Sequence, residues 1–281
     1  MVNPHGRFVW YELMTTDMAA AKAFYSKVMG WDTQDAPTSG MSYVLFIAEK
    51  TSVGGLMNLP VDAGRVGATP SWIGYVAVDD VDACAASVKK LGGAVYVEPT
   101  DIPGISRFAV VADPQMAAFV LVKWLRPRPD QPADLHAIGR VGWHELLAVE
   151  CDKAAAFYSE LFGWEKAGVD AAATGPYQLF SVGGQTIGGI LAKPASMPVP
   201  FWLYYFNVDD IDTATKRVTA AGGDILNGPL KVPDGSWIIE CTDPQGAMFA
   251  LVSKRNSRAV GYFESASSGG TGGAPAKRWS W

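Results

Sequence analysis

Histidine, cysteine and charged residues are scarce in this chain of 281 residues, and each shortage argues against a class of protein. The three cysteines, Cys84, Cys151 and Cys241, lie far apart without a CxxC pair, so neither a disulfide scaffold nor a cysteine-based zinc site is predicted. Charged residues make up 18% and the net charge is −5, which argues against a nucleic-acid surface. Three histidines offer few imidazole ligands for a metal ion.

Long apolar runs are also missing. The run from Met116 to Val122 is far too short to cross a bilayer, and the first residues lack the basic and apolar regions of a signal peptide. We therefore expect a cytoplasmic protein that has a small-molecule ligand, no nucleic-acid partner and no membrane partner. The sequence leaves open whether it is a monomer or a homodimer.

Apolar residues, by contrast, make up 49% of the chain, which also contains 30 glycines and 18 prolines. This is enough apolar material for packed cores, and the frequent turn residues favour short strands over long helices. The length suits two domains of about 130 residues each, since domains usually span roughly 100–200 residues.

Two copies of one sequence follow each other along the chain. Segment 7–31 aligns without a gap with segment 140–164, and the Asp-Pro-Gln motif at 113–115 recurs at 243–245. Self-similarity of this kind indicates a duplicated domain. We predict four parts, which are a first domain over 1–125, a Pro-rich linker over 126–138, a second domain over 139–254 and a flexible tail over 255–281.

Each copy is itself divided into two similar halves. In the first copy, Asp17 and Gly30 align with Asp80 and Gly93 after one constant shift. Every half starts with a strand pattern, continues with a helix that follows an acidic residue and ends at glycine, and closes with several short strands. The pattern predicts an α+β protein made of four βαβββ modules.

The motif from Asp17 to Trp31, with Ala21, Phe24–Tyr25 and Gly30 at fixed spacing, and its copy from Glu150 to Trp164 resemble the vicinal oxygen chelate superfamily. This superfamily includes glyoxalases, bleomycin resistance proteins and extradiol dioxygenases. The resemblance implies that two modules pair in each domain and that their mixed or antiparallel sheets curl around a cup. It also implies that any chemistry takes place in the cups.

The resemblance further implies a metal site, but this chain departs from the family pattern. The positions that we can assign to the family's ligands carry side chains without a lone pair for a divalent cation. They are Trp10, Ile73 and Val120 in the first domain and Trp143, Leu203 and Ala250 in the second. We therefore expect no cofactor, and a divalent metal only through displaced ligands. His144 would become a ligand only if the strand register were shifted by one residue; otherwise we expect it to be packed in the protein.

Two glutamates are the candidate catalytic residues. Glu12 shares a strand face with Trp10, and Glu145 shares one with Trp143, because residues two apart point to the same side. Tyrosines occupy the matching position in each second half, and such an environment would raise a carboxyl pKa and suit acid/base catalysis. A buried Glu–Tyr hydrogen bond that only orders the cup is the alternative interpretation.

The second cup is predicted to be the more polar one. Asn207 and Glu240 stand where the first copy has Ala77 and Val110. The predicted ligand-binding residues are Trp10, Tyr75, Trp143, Tyr205, Asn207, Trp237 and Glu240.

Three functions stay open at this point. The first is a metal-independent module that binds or converts a small organic molecule in one or both cups. The second is a lyase, isomerase or dioxygenase of the superfamily that uses displaced metal ligands. The third is an interaction protein whose cups are filled.

Overall fold

The structure is a computed structural model that describes residues 5–36, 42–65, 67–125, 134–172 and 175–254. Most of the predicted linker, at 126–133, and the whole predicted tail, at 255–281, lie outside the described residues.

Each domain contains two βαβββ modules, as the repeats predict. The elements of the first domain are β1 (Phe8–Thr15), α1 (Met18–Met29), β2 (Asp32–Asp35), β3 (Tyr43–Ala48), β4 (Thr51–Asn58), α2 (Val61–Arg65), β5 (Ser71–Ala77), α3 (Val81–Lys90), β6 (Ala94–Ile102), β7 (Ser106–Ala112) and β8 (Ala118–Trp124). Those of the second are β9 (Val141–Ala148), α4 (Cys151–Phe162), β10 (Glu165–Ala172), β11 (Gly175–Val182), β12 (Gln185–Ala192), β13 (Phe201–Asn207), α5 (Ile211–Ala220), β14 (Asp224–Lys231), β15 (Trp237–Thr242) and β16 (Met248–Ser253).

The modules of each domain join through their first strands into one mixed sheet of eight strands. In the first domain the order is β2-β3-β4-β1-β5-β8-β7-β6, and in the second it is β10-β11-β12-β9-β13-β16-β15-β14. The central pair, β1 with β5 or β9 with β13, is antiparallel, whereas each first strand runs parallel to the last strand of its own module. The predicted α+β class and the module pairing are thus confirmed.

The helices begin and end where the sequence signals lie. Asp17 accepts a hydrogen bond from the backbone N–H of Ala20 at 2.9 Å and caps α1, and Gly30 ends this helix with a φ of 71°. Glu150 precedes α4 in the same position but makes no side-chain cap. The first domain contacts the segment just before α4 instead, because the Gln115 side chain accepts hydrogen bonds from the backbone N–H groups of Val149 and Glu150.

The two domains share one hydrophobic core in which their contacts are reciprocal. Tyr25 of α1 donates to Asp243 in the second domain, and Tyr158 of α4 donates to Asp113 in the first, both at 3.2 Å. Each of these aspartates also accepts two backbone N–H groups of its own Asp-Pro turn. The duplicated motif therefore forms a turn and an interdomain bond at once.

This shared core predicts that the two domains unfold together. We expect Tyr25→Phe and Tyr158→Phe each to lower the free energy of unfolding by about 1–3 kcal/mol, since each leaves a buried aspartate oxygen without its donor. Calorimetry should show a single transition for the wild type and both variants. Tyr96→Phe, whose side chain is half exposed, is the control and should leave the transition in place. Two separate transitions, of which only one moves, would contradict the shared core.

Candidate functional site

An open cavity of about 1290 Å³ lies against the concave face of the second sheet. Strand alternation decides which side chains reach it. On β9, Trp143, Glu145 and Leu147 line the cavity, whereas His144 and Leu146 point to the opposite face. The described end of the predicted linker, at 134–138, borders the same space. Most of the wall is apolar and consists of Leu147, Leu179, Leu191, Leu203, Ile238, Met248 and Val252.

A chain of aromatic donors ends on a carboxylate in this apolar wall. Trp143 Nε1 donates to the Tyr177 hydroxyl at 2.6 Å, and the Tyr205 hydroxyl donates to Glu145 Oε2 at 2.8 Å. Tyr177 also hydrogen-bonds to Glu145. Burial, reinforced by the negative charge of nearby Glu240, raises the pKa of Glu145 from 4.5 to about 7, and the two tyrosine hydrogen bonds oppose this shift.

Glu240 faces the same cavity from β15 and is the second carboxylate of the site. Its Oε1 lies 3.4 Å from the Tyr205 hydroxyl, and its Oε2 lies 3.4 Å from Asn227 Nδ2. Burial raises the pKa of Glu240, while these two contacts lower it. Both carboxylates therefore reach one tyrosine hydroxyl from two strands.

The first domain repeats the cluster without the second carboxylate. Glu12 accepts from the hydroxyls of Tyr43 at 2.7 Å and Tyr75 at 2.8 Å, and Trp10 Nε1 donates to Tyr43 at 3.1 Å. Burial raises the pKa of Glu12 against these bonds. The position equivalent to Glu240 pairs with Val120 and is Val110. These hydrogen bonds would serve either the ordering role or the acid/base role that the sequence predicts for Glu12.

Tyr43 and Tyr177 were missed as site residues, although the sequence carries a signal for both. Each tyrosine precedes a glycine by the same interval, Gly55 and Gly189 respectively. A Cβ at either glycine would overlap the tyrosine ring or hydroxyl, so glycine is required for the ring to lie on the strand. Both glycines lie inside strands, Gly55 in β4 and Gly189 in β12.

His144 lies on the face of β9 opposite the cavity, so the strand register is not shifted by one residue. Its Nε2 is 2.6 Å from the Tyr11 hydroxyl, its Nδ1 is 2.8 Å from the Ile187 carbonyl oxygen, and its ring stacks on Phe8. Burial lowers the pKa of His144 to about 4, so the ring is neutral at neutral pH. Tyr11 is the residue equivalent to His144 in the first copy, which makes this another reciprocal contact between the domains.

Two predicted ligand-binding residues have other contacts. Trp237 packs against the shared core, because it lies on the same face of β15 as buried Ile239 and Cys241. We therefore no longer expect it to contact a ligand in the cavity. Asn207 borders the cavity, but its Nδ2 donates to the carbonyl oxygens of residues 135, 137 and 140 at 2.8–3.1 Å. Its amide group holds the end of the linker.

The residues at the family's metal positions do not fit a metal ion. Trp143, Leu203 and Ala250 supply no donor atom for a divalent cation. Among the described residues, no group of three or more His, Cys, Asp or Glu side chains is placed to hold one. We therefore derive no chemistry through a metal.

Paired βαβββ modules that form a cup in each domain agree with one class of protein. The chain is a member of the glyoxalase/bleomycin resistance protein/dioxygenase superfamily, whose family profile matches residues 7–121 and 139–251.

Relatives align with this chain over nearly their whole length. The chain is 34% identical over 245 residues to "Putative glyoxylase CFP32" of Mycobacterium tuberculosis, which covers 86% of this chain and 93% of that protein. It is 29% identical over 263 residues to the anthracycline biosynthesis protein DnrV of Streptomyces peucetius, which covers 89% and 94%.

Solved structures confirm the fold. A Mn(II)-bound glyoxalase from Novosphingobium aromaticivorans superposes with a TM-score of 0.60 at 19% identity, covering 88% of this chain and 81% of that one. The 2,3-dioxygenase LapB from Pseudomonas sp. KL28 gives a TM-score of 0.62 at 11% identity, covering 90% and 93%. In the described part of the chain, no helix combines the length and apolarity needed to span a membrane.

The raised pKa of Glu145 makes stability depend on pH. The Glu145 carboxyl group stays protonated up to about pH 7 in the folded protein, but only up to about pH 4.5 in the unfolded chain. The contribution of Glu145 to stability is therefore lost as the pH rises from about 4.5 to about 7. We expect Glu145→Gln to gain stability relative to the wild type between pH 5 and 8, by roughly 1–3 kcal/mol.

Urea denaturation at several pH values measures this difference. His144 titrates in the opposite sense at acid pH, but it is present in both proteins and cancels in the comparison. Glu160→Gln, on the exposed side of α4, is the control and should differ from the wild type by the same amount at every pH. A pH-independent difference for Glu145→Gln would disprove the shift.

Proposed function

We propose that the protein binds a small, largely apolar organic molecule with a planar ring system in the cavity of the second domain, without a metal ion. The observation that carries this proposal is the cavity itself, which measures about 1290 Å³ and has mostly aliphatic and aromatic walls. Pockets for drug-sized ligands usually span about 300–1,000 Å³, so a ligand of several fused rings would fit. A filled cup, which an interaction protein would have, does not agree with this volume.

The name of one relative supports the ligand class. DnrV is an anthracycline biosynthesis protein, and anthracyclines contain a planar anthraquinone system. Trp143, Tyr177 and Tyr205 provide aromatic surface for such rings. The ligand of this chain would be a molecule of that general shape.

Proton transfer to the bound molecule is the second candidate function. Glu145 lines the cavity, and a carboxyl pKa of about 7 allows it to give or accept a proton near neutral pH. Within the superfamily, such an enzyme would be a metal-independent lyase or isomerase.

Both modules of each cup come from one chain, so a monomer would suffice. The three cysteines are free thiols, in agreement with a cytoplasmic location.

Binding of 2-(hydroxymethyl)anthraquinone, a neutral planar probe, tests the ligand class. We expect a Kd of roughly 10–100 μM by calorimetric titration. Leu147→Trp should weaken binding at least about tenfold, because the larger side chain fills the cavity. Met14→Trp places the same ring at the equivalent position of the first domain and should change the Kd less than about twofold. Circular dichroism checks that both variants are folded. Equal weakening by both variants, or no binding to the wild type, would refute the proposed site.

Metal analysis tests the absence of a metal ion. Protein purified without chelators should contain less than about 0.1 equivalent of Ni, Zn, Fe or Mn, because the family positions supply no ligands. One stoichiometric equivalent per domain that resists dialysis would overturn the metal-independent function.

A further inference from the structure

One carboxylate distinguishes the polar clusters of the two cups. Both clusters contain a tryptophan, two tyrosines and a glutamate in the same arrangement. Only the second adds Glu240, at the position of Val110 in the first. Glu240 also lines the cavity. A residue that served only for packing would not need a charged group there.

The strong donors of the second cluster are already used by Glu145. A hydroxyl has one proton, and Tyr205 directs its proton to Glu145 at 2.8 Å, because the distance to Glu240 is 3.4 Å. Tyr177 also bonds to Glu145. Glu240 is left with this long contact and with Asn227 at 3.4 Å, both beyond the usual N–H···O and O–H···O distances.

A positive charge that would balance the two carboxylates is not provided by the described residues. The ion pairs in the described ranges include neither Glu145 nor Glu240. The lysines that border the cavity, Lys231 and Lys254, are exposed, and Lys254 lies 3.8 Å from Asp234. Among the described residues, Glu240 therefore lies half-buried in the cavity wall without a charged partner, where a ligand can reach it.

We propose that the second-domain cavity selects a cationic ligand, an apolar ring system that carries a protonated amine, and that Glu240 is the residue that binds the amine. This inference rests on the proposed function and adds the charge of the ligand to it. A protonated amine would give Glu240 the short, charge-assisted hydrogen bonds that its present contacts do not provide. The first cup, which has Val110 at this position, would lack the selectivity.

Two matched probes test the charge of the ligand. They are 2-(aminomethyl)anthraquinone, which is protonated at pH 7.5, and its neutral N-acetyl derivative. We expect the wild type to bind the amine at least about tenfold more tightly than the acetamide in calorimetric titrations. Glu240→Gln should lower the affinity for the amine by about the same factor and leave the affinity for the acetamide within about twofold.

A surface variant and a second substitution complete the design. Glu160→Gln removes the same charge from the exposed side of α4 and should keep the full preference for the amine. If Glu240→Gln fails to fold, Glu240→Val introduces the side chain found at the equivalent position of the first domain and should also abolish the preference.

The outcomes separate this inference from the proposed function. Equal affinity of the wild type for both probes would overturn the inference, as would a preference that survives in Glu240→Gln, and either result would leave the proposed function standing. Failure of both probes to bind the wild type would refute the proposed function and the inference together.

Discussion

The alternation of side chains on the two central strands controls the whole arrangement of this protein. Residues of one parity on β9 enter the core that both domains share, and residues of the other parity face the cavity. Burial of His144 and Leu146 between the domains therefore places Glu145 in the cup. A slip of one residue would exchange the two sets and bury a carboxyl group in the shared core, which is why the register is strongly determined.

The same burial makes the two domains interdependent. Tyr25 and Tyr158 each contribute to the core of their own domain and donate to an aspartate of the other. Because each aspartate also organises a turn, the duplicated motif cannot change in one copy without affecting the other domain. The cups lie on the opposite faces of the sheets and are free of this constraint, so the two copies can differ there, with Glu240 in one and Val110 in the other.

Much of this organisation could be predicted because it depends on local patterns. The modules, the helix ends and the position of the two glutamates follow from spacing and strand period. Strand period also separates Trp237 from Glu240, because the two lie an odd number of positions apart on β15, and Trp237 faces the core. Other features depend on contacts between distant segments, which period alone does not show. Asn207 is occupied by the linker, and Tyr43 of β3 reaches Glu12 of β1 across the intervening strand β4.

The amino-acid sequence by itself determined the duplicated α+β fold, the family and the lack of metal-binding side chains at the family's ligand positions. These depend on residue type and spacing along the chain. Tertiary structure alone decided that Glu145 and Glu240 meet at one tyrosine hydroxyl beside a large apolar cavity, and that His144 is withdrawn into the interface. The physical reason is that strand pairing in the order β9-β13-β16-β15 brings together residues that are far apart in sequence.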